Sequence, residues 1–220
     1  MYRVITISRE YGSGGTSVAR RIADRLGWQL VDDPLVEEIA RRASVHPDVA
    51  RRYDESVSPW FERLIQSLWR GGFEGSASRV ERLAFDADEM CRLWTQVIRE
   101  TADAGQAVIV GRGGQCTLRD RKDVFHVSLY APLEFRVRNQ RGRSQGQTDL
   151  RGLVEETDRR RAAYIRRYFG EDWKDRRLYH LGINTSIGFD LVADVILTAA
   201  GLTSTLGGNL QEASIPETQK

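Results

Sequence analysis

The feature that most constrains the fold is a glycine-rich loop that stands between a strand pattern and a helix pattern near the start of the chain. Residues 2–7 form a short β-branched run, which predicts a buried parallel strand. Residues 8–15 are turn-rich and hold three glycines. After Thr16, apolar residues at helical spacing predict a helix that ends at Gly27. A loop placed in this way predicts an anion site, because the first amides of a helix have no intrahelical acceptor.

The rest of the chain alternates short apolar runs with helix patterns. Strands are predicted at residues 28–31, 107–110, 124–130 and 179–184, and the helices that follow them include 132–141, 150–169 and 189–200. This alternation predicts an α/β fold with a parallel sheet covered on both faces. We expect one domain over residues 1–202, with a helical substrate-side region at about 35–105, and a disordered tail at 203–220.

Composition and charge narrow the function classes. The formal net charge of +2, with 29% charged residues, is too small for a dedicated nucleic-acid binder. The positive charge is carried almost wholly by arginine, which either reflects codon bias alone or suits phosphate recognition. Cys91 and Cys116 lack metal-ligand spacing and are expected to be structural thiols. No apolar run is long enough for a membrane span and no signal peptide is recognised, so a cytoplasmic protein is expected.

The loop departs from the common phosphate-binding pattern G-x-x-x-x-G-K-[ST]. With Gly14 as the second glycine, Arg9 occupies the first glycine position and Gly15 the lysine position. Backbone amides can still cradle phosphate, so the predicted phosphate contacts are Gly12, Ser13, Gly14, Gly15, Thr16 and Ser17. The hydroxyls of Thr16 and Ser17 are the predicted Mg²⁺ ligands, and Arg9 is the predicted substitute for the lysine. The alternative is a strand-to-helix turn without function.

Five segments together resemble the cytidylate-kinase-like proteins. They are ISREYGSGG at 7–15, GRGG at 111–114, YAPLEFRVR at 130–138, the D-x-x-R of Asp158 and Arg161, and RRYFGEDW at 166–173. That family is a variant branch of the nucleoside monophosphate kinases and typically carries GSGG without the lysine. The resemblance implies a P-loop, three-layer fold with a five-stranded parallel sheet and a short lid at about 139–155. It also implies ATP, Mg²⁺ and a nucleoside monophosphate acceptor.

The same resemblance implies four substrate-binding residues. Arg112 matches an arginine that contacts the acceptor base, and Asp33 lies where an aspartate opens the monophosphate region. Asp158 and Arg161 match residues that hold acceptor sugar and phosphate. Each has a structural alternative: a helix N-cap for Asp33, a surface loop for Arg112, and an intrahelical salt bridge for the Asp158–Arg161 pair.

Arginines near the predicted lid are the candidate catalytic charges. Monophosphate kinases close such side chains over the transferring phosphate, so Arg136, Arg141 and Arg143 are predicted to act there together with Arg9. Two positions depart from the cytidylate kinases: Val154 replaces an arginine and Tyr130 replaces an aspartate. Both changes remove groups used in cytidine monophosphate recognition.

Three functions remain open from the sequence. The first is an ATP-dependent kinase of a nucleoside monophosphate, the second a nucleotide sensor or degenerate kinase with little turnover, and the third a kinase of a small metabolite on the same fold. Small-molecule nucleotides are the expected partners, without nucleic acid or membrane. The long helices predicted between residues 58 and 104 are a candidate homodimer interface, and His126, inside a strand, is expected to belong to the core.

Overall fold

A five-stranded parallel sheet organises the molecule. The computed structural model describes residues 1–32, 87–141 and 149–203. Every strand pair in this part of the chain is parallel, and the order across the sheet is β2-β3-β1-β4-β5. The strand bounds are β1 Val4–Arg9, β2 Gln29–Val31, β3 Ala107–Val110, β4 Val124–Tyr130 and β5 Leu181–Asn184.

Helices follow the strands, as parallel pairing requires. In the described residues they are α1 Gly15–Leu26, α2 Ala87–Ala104, α3 Gly114–Thr117, α4 Leu133–Gln140, α5 Leu150–Phe169 and α6 Phe189–Ala199. Two single 3₁₀ turns, Arg176–Leu178 and Thr185–Ile187, flank β5. None of the helices in the described ranges has the length and apolar run that crossing a bilayer requires.

The two faces of β1 enter different layers, since neighbouring side chains of a strand point to opposite faces. Ile5 and Ile7 belong to a buried cluster with α1 and α6, in which Ile22 and Ile196 are fully buried. Thr6 points to the other face, where α3 begins against it. The predicted three-layer α/β fold is therefore confirmed.

The sheet order fixes where a ligand site can lie. β1 stands between β3 and β4, so their three carboxyl ends meet at one edge. β1 runs further than the sequence predicted, to Arg9, which pairs with Leu129 of β4. The loop at Glu10–Gly14 and the turn at Gly111–Gly113 therefore lie side by side, at the edge where α/β sheets bind ligands.

Most element predictions agree with the structure to within a few residues. The predicted strands at 107–110 and 124–130 and the helix at 150–169 have the observed bounds. β5 begins at Leu181 instead of residue 179, because Leu178 ends a 3₁₀ turn. The short helix α3 had no sequence prediction. The predicted helical region at 35–105 is described only from Ala87, and Asp33, residues 142–148 and the tail from 204 lie outside the described residues.

Candidate active site

The loop between β1 and α1 has the backbone form of an anion site. Gly12 and Gly14 have φ of 80° and 83°, a left-handed conformation that glycine adopts without strain. Gly14 caps α1, which begins at Gly15. The first amides of α1 therefore point out of the helix end with the positive end of its dipole, which favours phosphate.

Packing also explains the glycines of this loop. A methyl group on Gly12 would lie 2.6 Å from the backbone oxygen of Arg136, so α4 presses directly on the loop backbone. A methyl group on Gly14 would overlap the ring of Phe189 at the start of α6. Side chains at either position would force the loop away from the helices that support it.

The hydroxyl groups of the loop divide into two kinds. Ser13 is fully buried, and its hydroxyl donates to the carbonyl oxygen of Glu10 at 2.8 Å. Thr16 is exposed and Ser17 half-buried, both in the first turn of α1. Mg²⁺ bound to a nucleotide keeps several waters and phosphate oxygens and needs few protein ligands, so this donor set fits it. The described residues contain no cluster of three His, Cys, Asp or Glu side chains that could hold a metal by themselves.

A half-buried ionic network holds the loop from α4 and α5. Asp158 accepts a hydrogen bond from the backbone N–H of Tyr11 at 2.7 Å and pairs through its other oxygen with Arg136. The Arg136 side chain is 10% exposed and also lies 3.4 Å from the carboxylate of Glu10. Asn139 donates to the carbonyl oxygen of Gly12 at 2.8 Å. Arg136 and Asp158 thus join both helices to the glycine-rich loop, and their predicted contacts with phosphate and sugar stay predictions.

Arg161 reaches the same loop from one turn further along α5. Its Nη1 donates to the backbone oxygen of Arg9 at 2.8 Å, and its guanidinium lies over the ring of Tyr11. The face of α5 predicted from the D-x-x-R pattern therefore points at the loop, with Asp158 and Arg161 both in contact with its backbone.

The Arg9 side chain crosses from β1 to the neighbouring strand. Its Cβ and Cγ lie where a side chain on Gly15 would begin, at 2.8 Å and 2.7 Å from a methyl group built there. Its Nη1 lies against Gly111, where a methyl group would overlap it. Arg9 therefore leaves the loop and ends beside the turn that carries Arg112.

Arg112 is held by its backbone and by an aromatic ring. Its φ of 52° is unusual for a residue with a side chain. The guanidinium lies 4.6 Å from the ring centroid of Trp94, which is 2% exposed on α2. Such cation–π contact orients the planar group without neutralising its charge.

Arg9, Arg112 and Arg161 line one cavity of about 380 Å³. Arg160 is the fourth arginine of the wall, and no Asp or Glu stands among the described lining residues. Arg160 also pairs with Glu156 on the same helix, at 2.9 Å. Tyr164 and Trp173 add an aromatic side, and burial, then its hydrogen bond to Cys91, raises the pKa of Tyr164 well above its usual range. A cavity with these walls suits an anion that carries a flat or apolar part.

The structure thus brings together most of the predicted site residues. Arg141 is exposed after the end of α4, and Asp33 and Arg143 lie outside the described residues. Sequence reasoning missed Glu10, Tyr11, Asn139 and Trp94. Glu10 and Tyr11 lie inside the motif and could have been considered, whereas Trp94 had no local signal. Neither cysteine forms a disulfide, both are buried, and burial raises the pKa of Cys116 to about 11, which disfavours the reactive thiolate.

Comparison with protein families gives a match over most of the chain. The model described as the cytidylate kinase-like family matches residues 4–187. Cytidylate kinases of Shewanella sp. (strain W3-18-1) and Shewanella putrefaciens are 33% identical over 55 residues, 25% of this chain. The chain spans about a quarter, 24%, of the length of these curated relatives.

Comparison with solved structures supports the fold. A protein from Eubacterium ventriosum superposes with a TM-score of 0.65 at 19% identity, covering 90% of this chain and 98% of that one. Shikimate kinase from Bacteroides thetaiotaomicron gives 0.53 at 16% identity, with the same coverage of 90% and 98%. At these identities the likeness concerns the fold alone.

Proposed function

Because the chain belongs to the cytidylate kinase-like family, we propose that it is an ATP-dependent phosphotransferase whose acceptor is a nucleoside monophosphate resembling cytidylate. The observation that carries this proposal is the arginine-lined cavity of about 380 Å³ beside the phosphate loop, at the carboxyl edge of the sheet. A nucleoside monophosphate kinase needs two adjacent anion sites, one for the donor phosphates and one for the acceptor phosphate.

The donor site of the proposal is the loop and the first turn of α1. ATP phosphates bind the amides from Gly12 to Ser17, where the helix dipole favours negative charge. Mg²⁺, held by Thr16 or Ser17 and by water, neutralises charge on the donor phosphates. The ionic network of Asp158 and Arg136 keeps the loop backbone in place before the nucleotide arrives. Such preorganisation lowers the cost of aligning donor and acceptor.

The acceptor site of the proposal is the cavity. Arg112 and Arg161 bind the acceptor's anionic group, and Tyr164 and Trp173 cover its apolar part. Arg9, Arg136, Arg141 and Arg143 remain the proposed sources of positive charge for the moving phosphoryl group. Phosphoryl transfer needs positioning and charge stabilisation, so the proposal requires no covalent protein nucleophile.

Two observations support the other two functions. Gly15 in the lysine position supports a nucleotide sensor with slow or no transfer. The absence of cytidylate-type groups supports a small-metabolite kinase: Val154 is fully buried, and Tyr130, 46% exposed, offers a phenol where the cytidylate kinases have a carboxylate. Either function would use the same donor loop.

A coupled ADP-release assay over a panel of nucleoside monophosphates, shikimate and gluconate tests the proposal. We expect Mg²⁺-dependent turnover with at least one monophosphate. Arg112→Ala should raise the acceptor KM roughly tenfold and change the ATP KM by less than about threefold, since only the acceptor loses a charge-assisted contact. Arg112→Lys keeps the positive charge but loses the planar guanidinium. Its acceptor KM should lie between those of the wild type and Arg112→Ala.

The panel also separates the alternatives. Turnover confined to shikimate or gluconate would establish the metabolite kinase in place of the nucleotide one. ATP binding without turnover on any acceptor would contradict the kinase and favour the sensor. A chain that binds no ATP would contradict both nucleotide-dependent functions.

A further inference from the structure

The two departures of the loop from the common pattern are in direct contact. Arg9 occupies the first glycine position of G-x-x-x-x-G-K-[ST], and Gly15 occupies the lysine position. A methyl group on Gly15 would lie 2.7 Å from Cγ and 2.8 Å from Cβ of Arg9. Real side chains do not approach so closely. A lysine at position 15 and an arginine at position 9 therefore exclude each other in this backbone.

The guanidinium of Arg9 lies outside the glycine-rich loop, beside the neighbouring strand end. Its Nη1 lies against Gly111 on the neighbouring strand end, and it lines the cavity with Arg112 and Arg161. None of the residues from Gly12 to Ser17 is among the described residues that line this cavity. The positive group that the exchange introduces thus faces the acceptor side of the site.

We propose that Arg9 and Gly15 are one coupled exchange that moves the loop's cation from the donor phosphates to the acceptor cavity, where Arg9 binds the acceptor's phosphate or equivalent dianion. This inference rests on the proposed function, which makes the cavity the acceptor site. It specifies a phosphate monoester as the class of ligand that the cavity binds. Gly15 is the positioning residue, because its missing side chain gives Arg9 the space to pass.

The predicted steric conflict between Arg9 and a side chain at position 15 is tested by a double-mutant cycle, in which thermal unfolding of each variant is measured. Gly15→Ala should lower the unfolding midpoint in the wild-type background and leave it nearly unchanged in the Arg9→Gly background, where the Cβ and Cγ atoms are gone. Gly15 has no left-handed φ, so alanine introduces no backbone strain of its own. An equal effect of Gly15→Ala in both backgrounds would overturn the coupling.

The charge half is tested by calorimetric titration with two probes. The non-hydrolysable analogue AMP-PNP with Mg²⁺ reports on the loop, and inorganic phosphate, titrated with AMP-PNP already saturating, reports on the cavity. Arg9→Ala should weaken phosphate binding about tenfold and AMP-PNP binding less than about threefold. Arg20→Ala, which removes the same charge from the exposed face of α1, should change neither.

The opposite pattern would overturn the inference. A tenfold loss of AMP-PNP affinity in Arg9→Ala would make Arg9 a direct replacement for the lysine. Unchanged phosphate affinity would show that Arg9 does not bind the phosphate. If the wild type bound no AMP-PNP, the proposed function would fail, while phosphate titration of the unliganded chain would still measure the contribution of Arg9.

The variant Arg9→Gly/Gly15→Lys completes the common pattern and reverses the proposed exchange. It should bind AMP-PNP at least as tightly as the wild type and phosphate about tenfold more weakly. Gly15→Lys alone should bind AMP-PNP more weakly than this double variant, because its side chain meets Arg9. Equal AMP-PNP affinities of the two would contradict the steric exclusion.

Discussion

At the scale of single residues, His126 is a buried titratable side chain in the core of the sheet. His126, expected from its strand position to belong to the core, is 4% exposed. Its Nδ1 and the hydroxyl of Thr6 are hydrogen-bonded at 2.7 Å, and its backbone N–H donates to Nδ1 of His180 at 2.9 Å. Burial, followed by the nearby His180, lowers the pKa of His126 to about 4. The ring of His126 therefore stays neutral in the folded protein above about pH 4.

This pKa gives the stability a pH dependence of known sign. The unfolded chain protonates this histidine near pH 6.5, so acid favours unfolding between about pH 6.5 and 4. From pH 7 to pH 5 we expect His126 to lower the free energy of unfolding by about 2 kcal/mol, since one pKa unit corresponds to about 1.4 kcal/mol. Urea denaturation of the wild type and His126→Gln at both pH values measures it. Parallel losses in the two proteins would show that His126 contributes nothing.

At the scale of elements, the glycine-rich loop between β1 and α1 is held in place by helices that are distant in sequence. α4 and α5 reach it through Arg136, Asn139, Asp158 and Arg161, and α6 packs the ring of Phe189 against Gly14. The helices hold the carbonyl oxygens of Arg9 and Gly12 and the amide of Tyr11, and the amide of Ser13 donates within the loop to the carbonyl oxygen of Glu10 at 3.2 Å.

Asp158 is the residue whose removal should show this support. Asp158→Ala leaves the poorly exposed Arg136 without its close carboxylate partner, and we expect a loss of about 3 kcal/mol in the free energy of unfolding. Glu155→Ala is the matched control, because it removes a carboxylate from an exposed pair with Arg151 on the same helix and should cost less than about 1 kcal/mol. Denaturant titration compares the two. Similar losses would assign Asp158 no special structural role.

Gly14 provides a second test on α1. Gly14→Ala combines a left-handed φ with a collision against Phe189, whereas Gly27→Ala at the other end of the helix has φ of 62° and no neighbour within 4 Å. We expect Gly27→Ala to cost only backbone strain, about 1 to 2 kcal/mol, and to leave AMP-PNP binding intact. Gly14→Ala should cost more and weaken that binding at least about tenfold, measured by calorimetry. Unchanged binding would contradict the donor site.

At the scale of the whole molecule, the sheet order creates the site. β1 lies between β3 and β4, so the loop after β1 and the Arg112 turn after β3 become neighbours although about a hundred residues separate them. The buried sheet gives both a rigid base. The proposed donor and acceptor sites, built from adjacent strand ends, would be held at a fixed separation, as phosphoryl transfer requires.

Ligand binding should therefore stabilise the whole domain. AMP-PNP with Mg²⁺ at about 100 times its Kd should add about 2.7 kcal/mol to the free energy of unfolding. For a chain of this length that raises the unfolding midpoint by roughly 5 to 10 °C. Thermal scans with and without EDTA measure the part of this stabilisation that depends on Mg²⁺. Gly14→Ala, which is expected to bind AMP-PNP weakly, is the control and should show a smaller shift. An unchanged midpoint in the wild type would contradict nucleotide binding.

The sequence by itself determined the strands, the glycine loop, the helix after it and the parallel sheet. These follow from periodicity and turn chemistry within about twenty residues, which short-range physics controls. The prediction of an anion site at the loop rests on the same short-range signals, and the candidate residues Arg112, Asp158 and Arg161 followed from motifs within single segments.

Only the tertiary structure decided where the polar groups of these elements point. The pairing of Asp158 with Arg136, the ring of Trp94 beneath Arg112 and the path of Arg9 across Gly15 to Gly111 join residues from different elements. Such contacts depend on strand register and helix packing, in which side chains far apart in sequence compete for one space. In the sequence, Gly15 only marks the absence of the usual lysine. In the fold, the side chain of Arg9 occupies the space beside Gly15.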